Sequence, residues 1–139
     1  MQKILVAVIL ALVQTFSHAA DLAPPETWQS DWNQVLMTQT GVSQRMIAEQ
    51  SGSHQRILST QSGDMNVASF VQNGLLNMIS LIQLGQFNSA EIAQYATQSN
   101  ATVLQLGVGN RAEIRQYRNS ANALVHQTGD FGKTTLVQY

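Results

Sequence analysis

The chain has 139 residues, no cysteine and a formal net charge of −1, and only 11% of its residues are charged. Sparse and balanced charge argues against a nucleic-acid partner, because such binding needs a basic patch. It also argues against ordinary disorder, which combines low hydrophobicity with high net charge. Amide and hydroxyl side chains replace the usual charges, and chains of this composition tend to form β-structure and to aggregate.

The first predicted element is a secretory signal peptide at residues 1–19. Lys3 supplies a short positive region, residues 4–13 form an apolar run, and Ser17-His18-Ala19 offers a cleavage site of the small-x-small type. The apolar run is too short to span a membrane, and no later stretch is long enough either. The sequence therefore predicts an exported chain that begins at Ala20 and has no transmembrane segment.

A short mature segment, residues 20–32, separates the signal peptide from the rest of the chain. It contains Pro24 and Pro25, the only prolines, and two tryptophans, Trp28 and Trp32. We expect the tryptophans to pack locally against the structure that follows rather than to form a binding site.

Residues 33–139 are predicted to form one repeat domain with a unit of eleven residues. Glutamine recurs at that spacing without interruption, at Gln39, Gln50, Gln61, Gln72, Gln83, Gln94, Gln105, Gln116, Gln127 and Gln138. Two residues later lies the glycine slot, with Gly41, Gly52, Gly63, Gly74, Gly85, Gly107 and Gly129. Five residues after the glutamine lies the asparagine slot, which includes Asn66, Asn77, Asn88 and Asn110 but has Gln44 and Gln55 in the first two units.

Small and apolar residues complete the unit. The slot seven residues after the glutamine is mostly Ala or Ile, and the slot nine residues after it is mostly apolar. The motif is Q-x-G-x-x-N-x-A-x-Φ-x-Q, where Φ is apolar. Asn33, Val35 and Met37 fit the second half of a degenerate unit that precedes Gln39.

The spacing of these slots decides between two folds. A right-handed coiled coil also has an eleven-residue period, but a glycine in most units would cost a helix about 1 kcal/mol each. The slots at five, seven, nine and eleven instead alternate, which is typical of a strand with one buried face. We predict an all-β protein, a β-solenoid in which strands of about six residues alternate with tight turns at the glycines. Two units form each 22-residue rung, and two sheets stack with rungs ~4.8 Å apart.

The solenoid explains the repeated amides. An inward glutamine on each rung lies above the same glutamine of the neighbouring rung, so the amides satisfy one another in a dry interior. We expect the asparagines to stack in the same way. The predicted amyloid-core ladder therefore comprises the ten glutamines with Asn66, Asn77, Asn88 and Asn110.

Alternate units predict two outward faces of different chemistry. One face carries Arg45, Glu49, Glu91, Arg111, Glu113, Arg115 and Lys133. The other carries a single charge, Arg56, beside Leu58, Met78, Ile82, Leu104 and Leu124. Because an exposed apolar stripe usually marks a contact surface, we interpret this second face as a docking face for another fibril, a chaperone or an outer-membrane assembly apparatus. The alternative is that the mature N-terminal segment covers it.

No catalytic, cofactor or metal site is predicted, and we do not expect an enzyme. His54 and His126 are isolated from other metal-binding residues. Glu91 and Glu113 should lie close together on adjacent rungs, and a pair of nearby carboxylates is the catalytic arrangement of glycosidases. Arg111 and Arg115 flank Glu113, however, and this favours a solvated charged face.

The motif resembles the repeat of curlins, the subunits of bacterial curli amyloid fibres, and LGQFNSAEIAQ (84–94) and LGVGNRAEIRQ (106–116) carry the resemblance. It implies a secreted component of a cell-surface fibre, or fimbrium, associated with the outer membrane and serving adhesion and biofilm. The implied partners are copies of itself, a major curlin subunit and the outer-membrane curli secretion and assembly apparatus. The segment 20–32 departs from the pattern, because curlins generally carry an Asn-rich segment there.

The uniform spacing of eleven and the degenerate end units are most similar to the minor curlin, the nucleator of polymerisation. In this interpretation the exposed solenoid ends template the next subunit. Two alternatives remain open, which are a major curlin-like fibre subunit and, in a different class, a monomeric β-solenoid binding module.

Overall fold

The computed structural model describes residues 33–139. The predicted signal peptide and the segment with Trp28 and Trp32 lie outside the described residues. Ten strands follow one another, namely β1 (Gln34–Val42), β2 (Arg45–Ser53), β3 (Arg56–Asp64), β4 (Val67–Leu75), β5 (Met78–Gln86), β6 (Ser89–Gln94), β7 (Asn100–Val108), β8 (Arg111–Gln116), β9 (Asn122–Thr128) and β10 (Lys133–Gln138).

The strands form two five-stranded parallel sheets. The odd sheet has the order β1-β3-β5-β7-β9, and the even sheet has the order β10-β8-β6-β4-β2. Each strand pairs with the strand two places further along the chain, so that Gln39 lies beside Gln61 and Gln50 beside Gln72. One strand from each sheet makes a rung. The predicted all-β solenoid with two stacked sheets is confirmed, and the degenerate first unit forms β1.

The core lies between the two sheets. Because side chains alternate along a strand, the slots at seven and nine residues after the glutamine point inward from both sheets. The largest apolar side chains there are fully buried, namely Phe70, Ile57, Ile79, Leu81, Ile92 and Ile114. The apolar core is therefore a column along the solenoid axis, and the buried amides line its two sides.

Several strands are longer than predicted. β1 to β5 and β7 each span nine residues rather than about six. The difference arises because backbone pairing continues past the glutamine and through the glycine slot, as at Gly63 and Gly85. β6 and β8 end at their glutamines, and Ala96 and Arg118 follow them in place of glycine.

The glycine slot is explained by a close approach between rungs. A β-carbon on Gly85 would lie 2.0 Å from the carbonyl oxygen of Gly107 on the next rung. The φ of Gly85 is +122°, which side-chain-bearing residues rarely adopt. The predicted turn glycines thus begin the connection between the sheets. The left-handed residue that completes it lies two positions later, as at Met65 and Leu76 with φ of 54° and 58°.

Candidate assembly surfaces

The ten predicted glutamines form two continuous hydrogen-bonded ladders. In the odd ladder, Nε2 of each glutamine donates to Oε1 of the next, over 2.9, 2.6, 2.7 and 2.7 Å from Gln39 to Gln127. In the even ladder all four bonds from Gln50 to Gln138 measure 2.8 Å. The interior glutamines are fully buried, so each ladder removes from water amides that would otherwise be costly to bury.

Both ladders have a direction. From Gln72 onward, the second proton on Nε2 goes to a backbone carbonyl sixteen residues earlier, for example from Gln83 to Val67 at 3.2 Å and from Gln105 to Ser89 at 3.1 Å. A carbonyl oxygen only accepts, so the amide nitrogen must face it. The orientation is therefore fixed, and every glutamine that has a following rung donates toward that rung, which has the higher residue numbers.

The asparagines are aligned and buried, but they do not stack on one another as expected. Asn88 Nδ2 donates to the carbonyl of Gly107 at 2.9 Å, and its Oδ1 accepts from the backbone N–H of Asn110 at 3.1 Å. Asn66 and Asn110 make the same pair of contacts to the next rung. The side chain is one methylene shorter than glutamine, so its amide stays close to the backbone. The asparagine slot is a side-chain-to-backbone ladder.

Gln44 and Gln55 occupy the asparagine slot less completely. Nε2 of Gln55 reaches the carbonyls of Ser51 and Gly74 at 2.7 and 2.8 Å. Oε1 of both Gln44 and Gln55 is buried without a hydrogen-bond partner among the described residues. The extra methylene carries the oxygen past the backbone N–H that an asparagine would reach.

The candidate docking face covers the outside of the odd sheet. Ile82 and Leu124 are exposed, whereas Leu58, Met78 and Leu104 are half-buried by their neighbours. Leu58 and Leu124 fall in the same column as Leu36 of β1, which is also exposed. Sequence reasoning missed Leu36, which the same count from the degenerate first unit would have found.

The charged face covers the outside of the even sheet. Glu91 lies directly beside Glu113, as predicted for adjacent rungs. Arg115 bridges them, with N–O distances of 2.8 Å to Glu113 and 3.6 Å to Glu91. These are partly exposed pairs that contribute at most about 1 kcal/mol, and they hold the two carboxylates as a surface ion-pair network.

A tyrosine stack at the edge of the solenoid was not predicted. The rings of Tyr95, Tyr117 and Tyr139 follow three successive even-ladder glutamines, with centroids 5.4 and 5.5 Å apart and planes within 10° of parallel. The signal was present in the sequence as one residue type at a spacing of 22. It escaped notice because the preceding units have Ser51 and Asn73 in that slot.

The remaining chemistry of residues 33–139 is sparse. His54 is exposed, and Nε2 of His126 lies 3.0 Å from the Thr128 hydroxyl. Within this part of the chain no cluster of His, Cys, Asp or Glu has the arrangement of a metal site. The same residues include no helix long and apolar enough to cross a membrane.

The last rung, formed by β9 and β10, ends the pattern of contacts. Among residues 33–139, Gly129 has no atom within 4 Å of the position of an added β-carbon, whereas the equivalent glycines meet the carbonyl of the following rung. Gln127 donates to Oγ1 of Thr134 at 3.1 Å instead of to another glutamine. Tyr139 is 88% exposed and Phe131 79%. The surfaces that interior rungs use to bind the next rung are therefore open at this end.

The middle of the solenoid is similar to a known repeat family. Residues 88–117 match the family model of the curlin associated repeat. This segment begins with Asn88 of the asparagine ladder and includes β6, β7 and β8. It contains one step of the even glutamine ladder, from Gln94 to Gln116, and Gln105 of the odd ladder. The comparison with curated proteins gives no match. The middle of the solenoid is thus similar to curlin-type repeats, and this similarity supports the resemblance of the chain to curlins.

Proposed function

We propose that this chain is an exported structural subunit of curli-type amyloid fibres at the cell surface and that it polymerises by stacking solenoid ends. The observation that carries the proposal is the unbroken 22-residue register, with glutamine ladders that run from the first rung to the last. The curlin-repeat match to residues 88–117 supports it. The fold and the repeat family are structural, and the proposed activity is assembly rather than catalysis.

The end rungs provide the mechanism. In the described solenoid β1 and β2 at one end, and β9 and β10 at the other, each have a single strand neighbour. The free edge of such a strand presents backbone donors and acceptors that can pair with another chain. A folded rung then lowers the cost of ordering the next subunit, which otherwise must form its own nucleus. Each added chain extends the fibre by about 24 Å, from five rungs ~4.8 Å apart.

Within this function we propose the role of the minor, nucleating subunit. The uniform spacing of eleven supports it, as do the atypical asparagine slots at both ends, with Gln44 and Gln55 in the first units and Ala121 and Gly132 in the last. We infer an outer-membrane secretion apparatus and a major curlin as partners. A signal peptide at residues 1–19 would deliver the chain to that route.

The test is thioflavin-T kinetics on residues 20–139, alone and as preformed seeds added to a major curlin. Self-assembly together with removal of the major subunit's lag by substoichiometric seed is expected of a nucleator. Self-assembly without cross-seeding would instead identify a fibre subunit in its own right. A folded chain that stays monomeric and gives no dye signal would contradict the fibre proposal and favour a solenoid binding module.

We further propose that the docking face pairs fibres side by side. One copy offers about 700 Å² there, from five rungs ~4.8 Å apart and strands about 30 Å long. A stable interface needs about 800 Å² per partner. Copies aligned in a fibre exceed that area, so lateral pairing should follow polymerisation rather than precede it. In the slots six, eight and ten residues after each glutamine, Arg56 is the only charged residue of the described odd strands. The repulsion between two such faces is therefore small.

Ile82→Lys with Leu104→Lys should abolish bundling while leaving the elongation rate within about two-fold, because the changes add charge to an exposed face and leave the core intact. Electron microscopy of fibre width and thioflavin-T elongation rates are the measurements. Val67→Lys with Val71→Lys is the matched control on the even sheet, where Val67 has the same 42% exposure as Ile82. Unchanged bundling in the Ile82 and Leu104 variant would show that fibres pair through another surface.

A further inference from the structure

The odd glutamine ladder ends on a hydroxyl. From Gln39 to Gln105, one Nε2 proton of each glutamine goes to the next glutamine. Gln127 has no following rung, and its two Nε2 contacts are the carbonyl of Arg111 at 3.0 Å and Oγ1 of Thr134 at 3.1 Å. The glutamines from Gln72 to Gln116 make the same carbonyl contact. Thr134 has therefore taken the place of the missing glutamine oxygen.

Thr134 is unusual for its slot. The even strands carry Met46, Ala68, Ala90 and Ala112 in the same column, and Thr134 lies directly beside Ala112 on the last rung. A hydroxyl thus appears in this column only at the one described rung where the opposite glutamine lacks a successor. Thr134 is half-buried. Its hydroxyl thus gives an acceptor to the Nε2–H of Gln127, which would otherwise be unpaired at the end of the core.

The open groups of the last rung fit the first rung of a second copy in one register. With β1 placed on β9 and β2 on β10, Gln39 follows Gln127 and Gln50 follows Gln138 at the 22-residue spacing of both ladders. The carbonyl of Gly41 then covers Gly129, which is the contact that Gly129 lacks. Leu36 and Leu124, 52% and 75% exposed, become neighbours in one column. A shift by one unit would leave β1 without a partner strand.

We propose that the Thr134 hydroxyl accepts the last hydrogen bond of the odd ladder, from Nε2 of Gln127, while the last rung is free. When a second copy docks in that register, the same N–H of Gln127 donates to Oε1 of Gln39 instead. The inference rests on the proposed fibre function and names the partner surface and its end group. Docking then exchanges one hydrogen bond for another at this site. The exchange weakens the drive to polymerise relative to an end whose donor is bare.

The first test compares the concentration of soluble chain left at the end of polymerisation. Thr134→Val keeps the side-chain volume and removes the hydroxyl, so docking no longer breaks a bond, and we expect the soluble concentration to fall about five-fold, the value of one net hydrogen bond. Thr134→Ser retains the hydroxyl and should match the wild-type chain. Thr135→Val is the control, because Thr135 points outward and is exposed, and it should change the value by less than about two-fold.

The second test examines the register. In the proposed contact Lys133 lies beside Arg45 of the second copy, and like charges directly opposite on neighbouring strands are destabilising. Lys133→Glu or Arg45→Glu alone should lower the soluble concentration, whereas the double variant restores two like charges and should return toward the wild-type value. Two single effects that simply add in the double variant would overturn the register.

The outcomes separate this inference from the function on which it rests. A wild-type chain that never polymerises overturns both. A wild-type chain that polymerises, with Thr134→Val equal to it or more soluble, overturns the role of Thr134 alone. A lowered soluble concentration for Thr134→Val, with wild-type behaviour of Thr134→Ser and Thr135→Val, supports it.

Discussion

Interior rungs and end rungs share one motif but differ in how completely they are bonded. In the interior, Gln83, Asn88 and Gly85 all make their contacts with the following rung. At the first rungs Oε1 of Gln44 and Gln55 is buried and has no hydrogen-bond partner within residues 33–139, and at the last rung no carbonyl from that part of the chain covers Gly129. The spacing of the motif places each side chain, but the presence and exact length of the neighbour decide whether its hydrogen bonds close.

This difference indicates where stability resides. An interior side chain is held from both sides, so its removal leaves two partners unpaired. An end side chain has one partner and some access to water, which replaces a lost contact at little cost. The same substitution should therefore cost more in the middle of the solenoid than at its ends, and paired variants can test this directly.

The largest contrast is expected in the glycine slot. Gly85→Ala would place a β-carbon 2.0 Å from the Gly107 carbonyl oxygen, and only a movement of the backbone can relieve this clash. We therefore expect a loss of about 3–5 kcal/mol in the free energy of unfolding. Gly129→Ala meets no atom within 4 Å, so its φ of +99° leaves only backbone strain, about 1–2 kcal/mol.

Denaturant midpoints for the β-sheet circular dichroism signal, taken on dilute chain below the polymerisation threshold, give the comparison. Equal losses for the two variants would contradict the idea that rung-to-rung approach sets the need for glycine. Gly129→Ala should nevertheless stop elongation, because a second copy would bring the Gly41 carbonyl to that position.

A smaller contrast is expected within one ladder. Gln83→Ala leaves Nε2 of Gln61 and Oε1 of Gln105 unpaired in the core, and two such groups with a cavity should cost about 4 kcal/mol. Gln39→Ala breaks a single bond at a half-buried end and should cost about 1 kcal/mol. Guanidinium titration of both variants measures the difference, and a cost at Gln39 as large as that at Gln83 would mean that the ends are not looser than the interior.

The smallest contrast comes from exchanging the two amides of the asparagine slot. Asn88→Gln transfers the first-rung defect to the interior by moving the acceptor away from the Asn110 N–H, at a cost of about 1–3 kcal/mol. Gln55→Asn should repair that defect and gain about 1 kcal/mol. Asn100→Gln, at an exposed outward position, serves as the control in the same titrations. A stabilised Asn88→Gln variant would rule out the explanation from side-chain length.

Much of this architecture could be predicted because the eleven-residue spacing of the glutamines can be counted directly in the sequence. The spacing of Gln39, Gln61 and their successors predicted the stacked strands, the 22-residue rung and the glutamine ladders. The outward column at Glu91 and Glu113 was placed in the same way.

What escaped prediction depends on distances below the length of one residue. The bonds of Asn88 to the backbone rather than to Asn110's side chain follow from a single methylene. The continuation of β3 through Gly63 depends on backbone dihedrals. The Thr134 contact arises because the odd sheet has no described strand after β9. A repeat motif describes the average unit, and these details belong to particular units.

The single direction of the glutamine ladders has an electrical consequence. Each side-chain amide resembles a peptide unit, whose dipole is about 3.5 D, and all eight glutamine-to-glutamine bonds point from low to high residue numbers. Backbone carbonyls within a strand point alternately toward its two neighbouring strands, so their dipoles largely cancel along the axis, whereas these side-chain dipoles add. A fibre that continues the ladders is then a polar rod, positive toward the end that carries Gln138, although each chain has a formal net charge of only −1.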